Sequence, residues 1–437
     1  MKTVRIFVPI LIGLALCFYV IGCGSVTGGG GGGGGGGTPG TPPFTAEVWV
    51  STTGNDTTGD GSFDNPFLTI TAGLVKAGIS GETIVGIMPG VYPISSTISW
   101  NLNGGILIGV SAETTTIDAS SCTTPAFEFS SITGMNTIEN VTIKGTSAGG
   151  WWGGAIRVVS SSDIYLKFKN VIFNENTSSY GGAIFISSGT VEAENCMFHD
   201  NTATNIGGAV QLSEGTFIAK MCTFEGNDVT GGYLWGGAIS LPYAGTSGGM
   251  LRLERCAFYG NQANNGGAIG HYNKDDNMTG RIENCIFSYN DAHQRGGAIH
   301  LTSAATIEVV NCTIVSNEAV TSGGGIRGSS ATKVINCIIY GNDASTDDEI
   351  DSATTPEVTY SDVKGGYAGT GNANADPRFI SITDFHFNYN ALGVVFNGGT
   401  MEAAPSVDYD GNIRPDSLRP DPNQCSMGAY EFYISPP

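Results

Sequence analysis

The chain has 437 residues; 66 are glycine, only 13% are charged, and 19 basic against 39 acidic side chains leave a net charge of −20. So acidic a chain repels phosphate backbones, which excludes nucleic acid as a natural partner. Hydrophobic residues at 40% suffice for a core, and the glycine content predicts many tight turns.

In chain order, Lys2 and Arg5 precede an apolar run at 6–22, so residues 1–22 read as a signal peptide. The run closes on Val20-Ile21-Gly22-Cys23, which resembles a bacterial lipobox. That resemblance implies cleavage before Cys23 and lipidation of its thiol, and two or three acyl chains hold a protein on a membrane where one does not. Gly24, not aspartate, follows, as in lipoproteins sorted to the outer membrane. The expected partner of this end is a membrane, and the expected location is the outer membrane or cell surface of a bacterium. Residues 23–45, with glycines throughout 28–37 and then TPGTPP, read as a flexible tether.

The fold is expected to begin near Ala46. Residues 47–92 read as an N-terminal cap, with a short helix from Pro66 to Ala77, Asn65 as its N-cap and Pro66 at its first position. GETIVGIMPGVY at 81–92 reads as a strand and turn.

The centre of the chain repeats. NVIFNEN (170–176), NCMFHDN (195–201), MCTFEGN (221–227), RCAFYGN (255–261), NCIFSYN (284–290), NCTIVSN (311–317) and NCIIYGN (336–342) share one pattern. GGAI, GGAV or GGGI recurs at 153–156, 181–184, 207–210, 236–239, 266–269, 296–299 and 323–326, and DEI (348–350) replaces it after the last unit. The cysteines at 196, 222, 256, 285, 312 and 337 are spaced by 26, 34, 29, 27 and 25 residues. Short alternating runs at such a period predict one solenoid coil per repeat. The fold class is therefore all-β. We expect a single-stranded right-handed parallel β-helix of about ten to twelve coils over 46–360, followed by an irregular C-terminal cap at 361–437.

Stacking at about 4.8 Å puts each position on its own copy. Asn176, Asn201, Asn227, Asn261, Asn290, Asn317 and Asn342 then form an amide ladder. Cys196, Cys222, Cys256, Cys285, Cys312 and Cys337 form a column whose parallel Cβ atoms, about 4.8 Å apart, are too far apart for easy disulfides. The residues after GGA[IV] (Arg157, Phe185, Gln211, Ser240, Gly270, His300 and Arg327) are expected to face solvent.

The block at 47–92 resembles the N-terminal part of bacterial β-helix proteins of the pectate-lyase-like superfamily. The repeated phrases closely resemble the polymorphic outer-membrane protein repeat. YSDVKGGYAGTGNANADPRF (360–379) and DFHF (384–387) resemble closing segments of such proteins. DYDGNIRPDS (408–417) with GAYEF (428–432) resembles the choice-of-anchor Q domain, although CSM (425–427) stands where an aspartate usually precedes GAYE. The resemblance implies an adhesin-like surface protein. The chain ends in EFYISPP without a barrel-like segment, so the lipid is the expected anchor.

Enzymes of this superfamily act on polysaccharides with clustered aspartates, but IGHY (269–272) and RIE (281–283) match none of their phrases. Asp275-Asp276, Asp347-Asp348-Glu349 and Asp351 are scattered. Asp408, Asp410 and Asn412 are a weak Ca²⁺ candidate: the glycine is fourth rather than sixth, and Arg419 holds the twelfth position. No cofactor is expected. Trp151, Trp152, Tyr180, Tyr233 and Trp235, four of which belong to no core phrase, are candidates for a binding strip together with Phe185. The sequence reads as a non-catalytic module binding carbohydrate or a surface protein; the alternative is a polysaccharide lyase or glycoside hydrolase.

Overall fold

The computed structural model describes residues 42–130, 132–159, 164–231, 235–241, 249–272, 278–302, 305–351, 353, 355–388, 394–416 and 421–431. Cys23 and the segments on either side of it, Tyr233, Asp275-Asp276 and Arg419 lie outside these residues. The described chain is a parallel β-solenoid with four faces, named in the order the chain visits them. Face A stacks 12 strands from Val48–Val50 to Glu357–Thr359, and face B stacks 11 from Gly90–Pro93 to Asp362–Val363. Face C stacks 8 from Ser147–Trp152 to Asp343–Thr346, and face D stacks 9 from Ile98–Ser99 to Ile326–Arg327.

One coil shows why the repeat folds this way. Thr190–Glu194 lies on face A, Met197–His199 on B, Thr202–Ile206 on C and Val210–Leu212 on D. A single left-handed residue turns each corner: Asn195 (φ 52°), Asp200 (φ 52°) and Gly207 (φ 69°). The B-to-C corner is open, since a Cβ added at Gly260 or Gly341 meets nothing within 4 Å, and Glu175, Asp200, Tyr289 and Ser316 hold that corner in other coils. The C-to-D corner is closed. A Cβ at Gly181 would lie under 3.0 Å from the Ile184 carbonyl, and one at the following Gly182 under 3.0 Å from the Gly208 carbonyl of the next coil. The first contact is within the turn and the second is between coils, so both glycines of GGA[IV] are required. In the last unit Asp347 (φ 54°) and Asp348 stand at these two positions, and among the described residues no further strand of faces C or D stacks on them.

The interior is a set of columns. Phe173, Phe198, Phe224, Phe258 and Phe287 stack with ring centroids 4.9, 4.5, 4.7 and 4.7 Å apart. Ile156, Ile184, Val210, Ile239, Ile269, Ile299 and Ile326 are fully buried beside them. The eight described cysteines are buried free thiols. The Cys196, Cys256, Cys285 and Cys312 N–H groups each donate to the next cysteine sulfur at 3.4 Å. Cys337 N–H donates instead to Ser361 Oγ at 3.0 Å, which ends the column. Burial pushes the Cys222, Cys285 and Cys337 thiols well above their ordinary range.

The asparagines form a polar line with one direction. The Asn201 side-chain amide donates to Asn227 Oδ1 at 3.0 Å and to the Phe173 carbonyl of the preceding coil at 3.0 Å. The same pattern runs from Asn176 to Asn342. Thr146 Oγ1 donates to Asn176 Oδ1 at one end (3.1 Å), and Asn342 donates to Glu349 Oε2 at the other (2.6 Å). Glu349 also accepts from Gly341 N–H at 2.8 Å, yet burial still holds its carboxyl above the usual range.

Both ends correct the sequence expectation. The helix is Ile70–Ser80, not Pro66–Ala77, and its N-cap is Thr69, whose side chain accepts from Ala72 N–H. Asp56 accepts from Leu68 N–H, Thr69 N–H and Thr69 Oγ1, while Phe67 is bonded to Trp49 and Ser51, which keeps 67–68 extended. Asn65 donates to the Thr58 carbonyl (2.9 Å) and closes the preceding loop instead. At the other end, the described residues from 361 onward do not form one end cap. Residues 364–376 cover the last coil: Tyr367 packs on the core and Ala373 bridges Asp362. The described residues beyond them fold back along face B. There Asn284, Asn311 and Asn336, left-handed corner residues, donate to the Val407, Ser426 and Thr400 carbonyls. The Arg414–Glu431 ion pair, with both side chains fully buried, and Arg414 Nη2 to Asn284 Oδ1 at 3.3 Å fix this arm.

Two expectations follow for stability. Gly208→Ala should destabilise by about 3 kcal/mol because two coils must separate, against about 1 kcal/mol for Gly260→Ala at the open corner; chemical denaturation of both variants measures the difference. Glu349→Ala leaves the last rung and Gly341 N–H without acceptors and should cost about 2 kcal/mol, whereas Glu349→Gln keeps one acceptor and should cost less in the same assay.

Candidate functional site

The aromatic candidates lie along the C-to-D corner in register. Trp152 pairs with Tyr180, Tyr180 with Ile206, Ile206 with Trp235, and Trp235 with Asn265. The row does not form one exposed strip. Trp151 and Trp152 are 42% and 45% exposed, but Ile206 is buried and Trp235 is half-buried. Trp235 lies on His300, with ring centroids 4.6 Å apart, because Gly270 leaves the intervening level without a side chain. Tyr272 meets Trp235 edge-on at 5.3 Å.

The exposed part is a compact patch. Trp152 meets Tyr180 edge-on at 5.8 Å and tilts over Phe185 at 4.9 Å. The Arg157 guanidinium sits 5.6 Å from the Trp151 ring, and its Nη1 is 2.7 Å from Glu128 Oε2. Both indoles are therefore held in place while presenting open surface, which lowers the ordering cost of binding.

The column after GGA[IV] corrects a second expectation. It points away from the core, and Arg157 and Arg327 at its ends are half-buried, but between them it does not face solvent: Phe185 is 4% exposed, Gln211 2%, His300 5%, and Ser240 and Gly270 are buried. The corner rings lie over part of it. Gln211 Nε2 donates to the Leu212 carbonyl at 2.9 Å, while Gln211 Oε1 and His300 Nδ1 are buried without partners. Burial, then the charges of Arg327, Arg295 and His271, push the His300 imidazole well below its ordinary range. This histidine is a neutral, packed ring.

The acids on this face are dispersed. Glu128 is paired with Arg157, and Asp351 is paired with Arg327. They stand at opposite ends of a column eight coil steps long, about 38 Å at ~4.8 Å per step. Paired carboxylates for glycoside hydrolysis stand within about 10 Å of each other. Arg281 and Glu283 of RIE form a 2.6 Å ion pair, and His271 of IGHY is buried against Thr302 at 2.7 Å. Among the described residues no group of three or more His, Cys, Asp and Glu side chains is arranged to hold a metal. In DYDGN, Asp408 accepts from Asn412 N–H (2.8 Å), Asn412 Nδ2 (3.1 Å) and Glu431 N–H (2.9 Å), so it braces a turn rather than pointing out beside its neighbours.

The sequence reading missed one charged cluster. His386 Nδ1 lies 2.5 Å from Asp384 Oδ1, its Nε2 lies 2.8 Å from Asp410 Oδ2, and its ring packs on Tyr430 at 3.9 Å. Asp410 first, with Asp384, raises the imidazole pKa to about 9. The cluster joins two parts of the folded-back arm.

Comparisons with known proteins agree in architecture only. The profile of the Chlamydia polymorphic membrane protein (Chlamydia_PMP) repeat matches residues 170–187. No curated protein sequence matches the chain. Among solved structures, pectate lyase Pel9A is similar at 15% identity over 89% of this chain and 97% of that one, with a TM-score of 0.44. A rhamnogalacturonan lyase is similar at 14% identity over 77% and 91%, with a TM-score of 0.47. XylC, solved in complex with xylose, is similar at 8% identity over 88% and 98%, with a TM-score of 0.45. Likenesses this distant say nothing about activity.

The clamp gives a pH expectation. His386 has a folded pKa above its ordinary 6.5, so its contribution is complete below pH 6.5 and is lost as pH rises through about 9. Asp384 is held below its ordinary 3.8, so its share is present above that pH and fades as pH falls. The stability gap between the parent and His386→Gln, followed by thermal unfolding, should be widest between these limits and close by about pH 9.

Proposed function

We propose that the protein is a non-catalytic binding module held at a bacterial surface, and that the Trp151–Trp152–Tyr180 patch receives a carbohydrate or a surface-protein partner. The observation that carries this reading is the pair of indoles, fixed by Arg157, Tyr180 and Phe185 yet open to solvent. The lipobox-like Cys23, the glycine-rich tether and the closing segments resembling a choice-of-anchor Q domain support an exported, lipid-anchored protein of the outer membrane or cell surface. The polymorphic membrane protein repeat is consistent with that location. The alternative of a lyase or hydrolase has less support, because Glu128 beside the patch and Asp351 at the far end of the same face are each paired with an arginine and stand far apart.

The test is retention of the protein on arrays of polysaccharides and bacterial or host surface proteins, with released reducing and unsaturated ends assayed in parallel. Trp151→Ala with Trp152→Ala should lower retention at least ten-fold. Trp235→Ala, at a half-buried ring, should change it less than two-fold. Release of product ends would replace the binding reading with the enzymatic one.

A further inference from the structure

We infer that the indole patch is one end of a path for a neutral oligosaccharide, and that the path runs along a step in the solenoid to a cavity beside the N-terminal helix. This rests on the binding reading above and names the ligand class.

The step arises from the order of the faces. Face C begins only at Ser147–Trp152, whereas at earlier levels face A already has three strands and faces B and D two each. In the two preceding coils the chain crosses from B to D through short turns at 94–97 and 119–126. These turns stack directly beneath the first strand of face C. Cys122 Sγ lies 3.4 Å from the Ile94 carbonyl, Thr97 Oγ1 donates to Thr124 Oγ1 at 2.8 Å, and Ser147 N–H donates to the Cys122 carbonyl at 3.1 Å. Face C therefore begins at Ser147–Trp152 with turns rather than a strand of its own beneath it. The tread is hydroxyl-rich, with Ser95, Ser96, Ser120, Ser121 and Thr123 exposed. The riser carries Gly149 and Gly150, where an added Cβ meets nothing within 4 Å, and ends at the two indoles.

The tread runs into a cavity of about 560 Å³ that shares Ile94, Ser95 and Ser96 with it. Leu68, Val91 and Ile98 give this cavity aliphatic walls, and Thr52, Thr69 and Thr71 add hydroxyls. Its size is that of a small-ligand site. From the 94–97 turn to the indoles is two coil steps, about 10 Å, so the path with the cavity suits a short oligosaccharide rather than a single ring.

The chemistry selects the ligand. Residues 93–97, 119–125 and 145–153 include no acidic or basic side chain in a chain of net charge −20. At the borders, Asp118 is paired with Lys144 at 3.8 Å and Glu128 with Arg157 at 2.7 Å. A uronate carboxylate would find no unpaired cation here. A polypeptide strand adding to the free edge would meet a bulge, since Ala148 pairs with Ser178 and Trp152 with Tyr180, leaving three residues opposite one. A neutral sugar offers hydroxyls to the serines and threonines, C–H faces to the indoles, and a flat ring to the bare glycine backbone.

The experiment titrates the full chain with cellohexaose, xylohexaose and mannohexaose, and with hexagalacturonate as the acidic probe, following tryptophan fluorescence and heat. At least one neutral hexaose should bind saturably, and at least ten-fold more tightly than hexagalacturonate. Trp151→Ala with Trp152→Ala should abolish that binding. Ser96→Glu with Ser121→Glu, at exposed positions, should weaken it at least ten-fold with thermal unfolding unchanged. Unaltered binding in the double-glutamate variant would overturn the path and leave the patch standing. Preference for hexagalacturonate would overturn the neutral ligand. Silence with every hexaose, alongside tryptophan-dependent retention on a protein array, would overturn the inference while keeping the binding reading. Tryptophan-independent behaviour throughout would overturn both.

Discussion

The constraint that recurs at every level of this molecule is between successive coils at the C-to-D corner. There the second glycine of each GGA[IV] phrase lies so near the next coil's carbonyl that no side chain fits between them. That contact sets the register of every coil on its neighbour, and the columns of phenylalanine, isoleucine and cysteine follow from it. With register fixed, a residue repeated once per coil becomes a continuous line, and its energy depends on contact with its own copies. The other three corners take a wider range of residues, and the chain spends its variety there.

Such lines need beginnings and ends. Thr146 starts the asparagine line and Glu349 stops it; Ser361 stops the cysteine line. The arm from 377 onward has a different role. It uses corner asparagines, a position where Asn195 bonds to Asn170 at 2.7 Å and Asn336 to Asn311 at 3.2 Å, to grip its own backbone along face B. One residue type at one corner thus serves as a free ladder in the first half of the solenoid and as a clasp in the second.

The repeating positions were legible in the sequence because each is stated six or seven times, and chance does not imitate that. Single positions were harder. The helix start was misread because Asn65-Pro66 carries a capping signal, while the acceptor that decides the matter, Asp56, comes from a loop nine residues earlier. The residues after GGA[IV] were expected to face solvent because alternation gives direction, not cover, and the rings lying over them come from neighbouring levels. The indole patch was visible as aromatics outside any core phrase, but its break at Ile206 was not, since only the fold shows which rings are occupied with packing. DEI in place of the last glycine phrase was a visible signal of termination. Nothing local marked Asn284, Asn311 and Asn336 as seats for the C-terminal arm, or Arg414 and Glu431 as its lock.

The asparagine line has a consequence for how such a chain can change. Every rung offers the same acceptor backward and the same donor forward, so cutting out one whole coil would bring two matching surfaces together. Length is then variable in units of a coil, by duplication or loss, provided that Thr146 and Glu349 stay at the ends. A deletion of half a coil has no such permission, because it would carry the asparagines beyond the cut to a different face and break the line at that point.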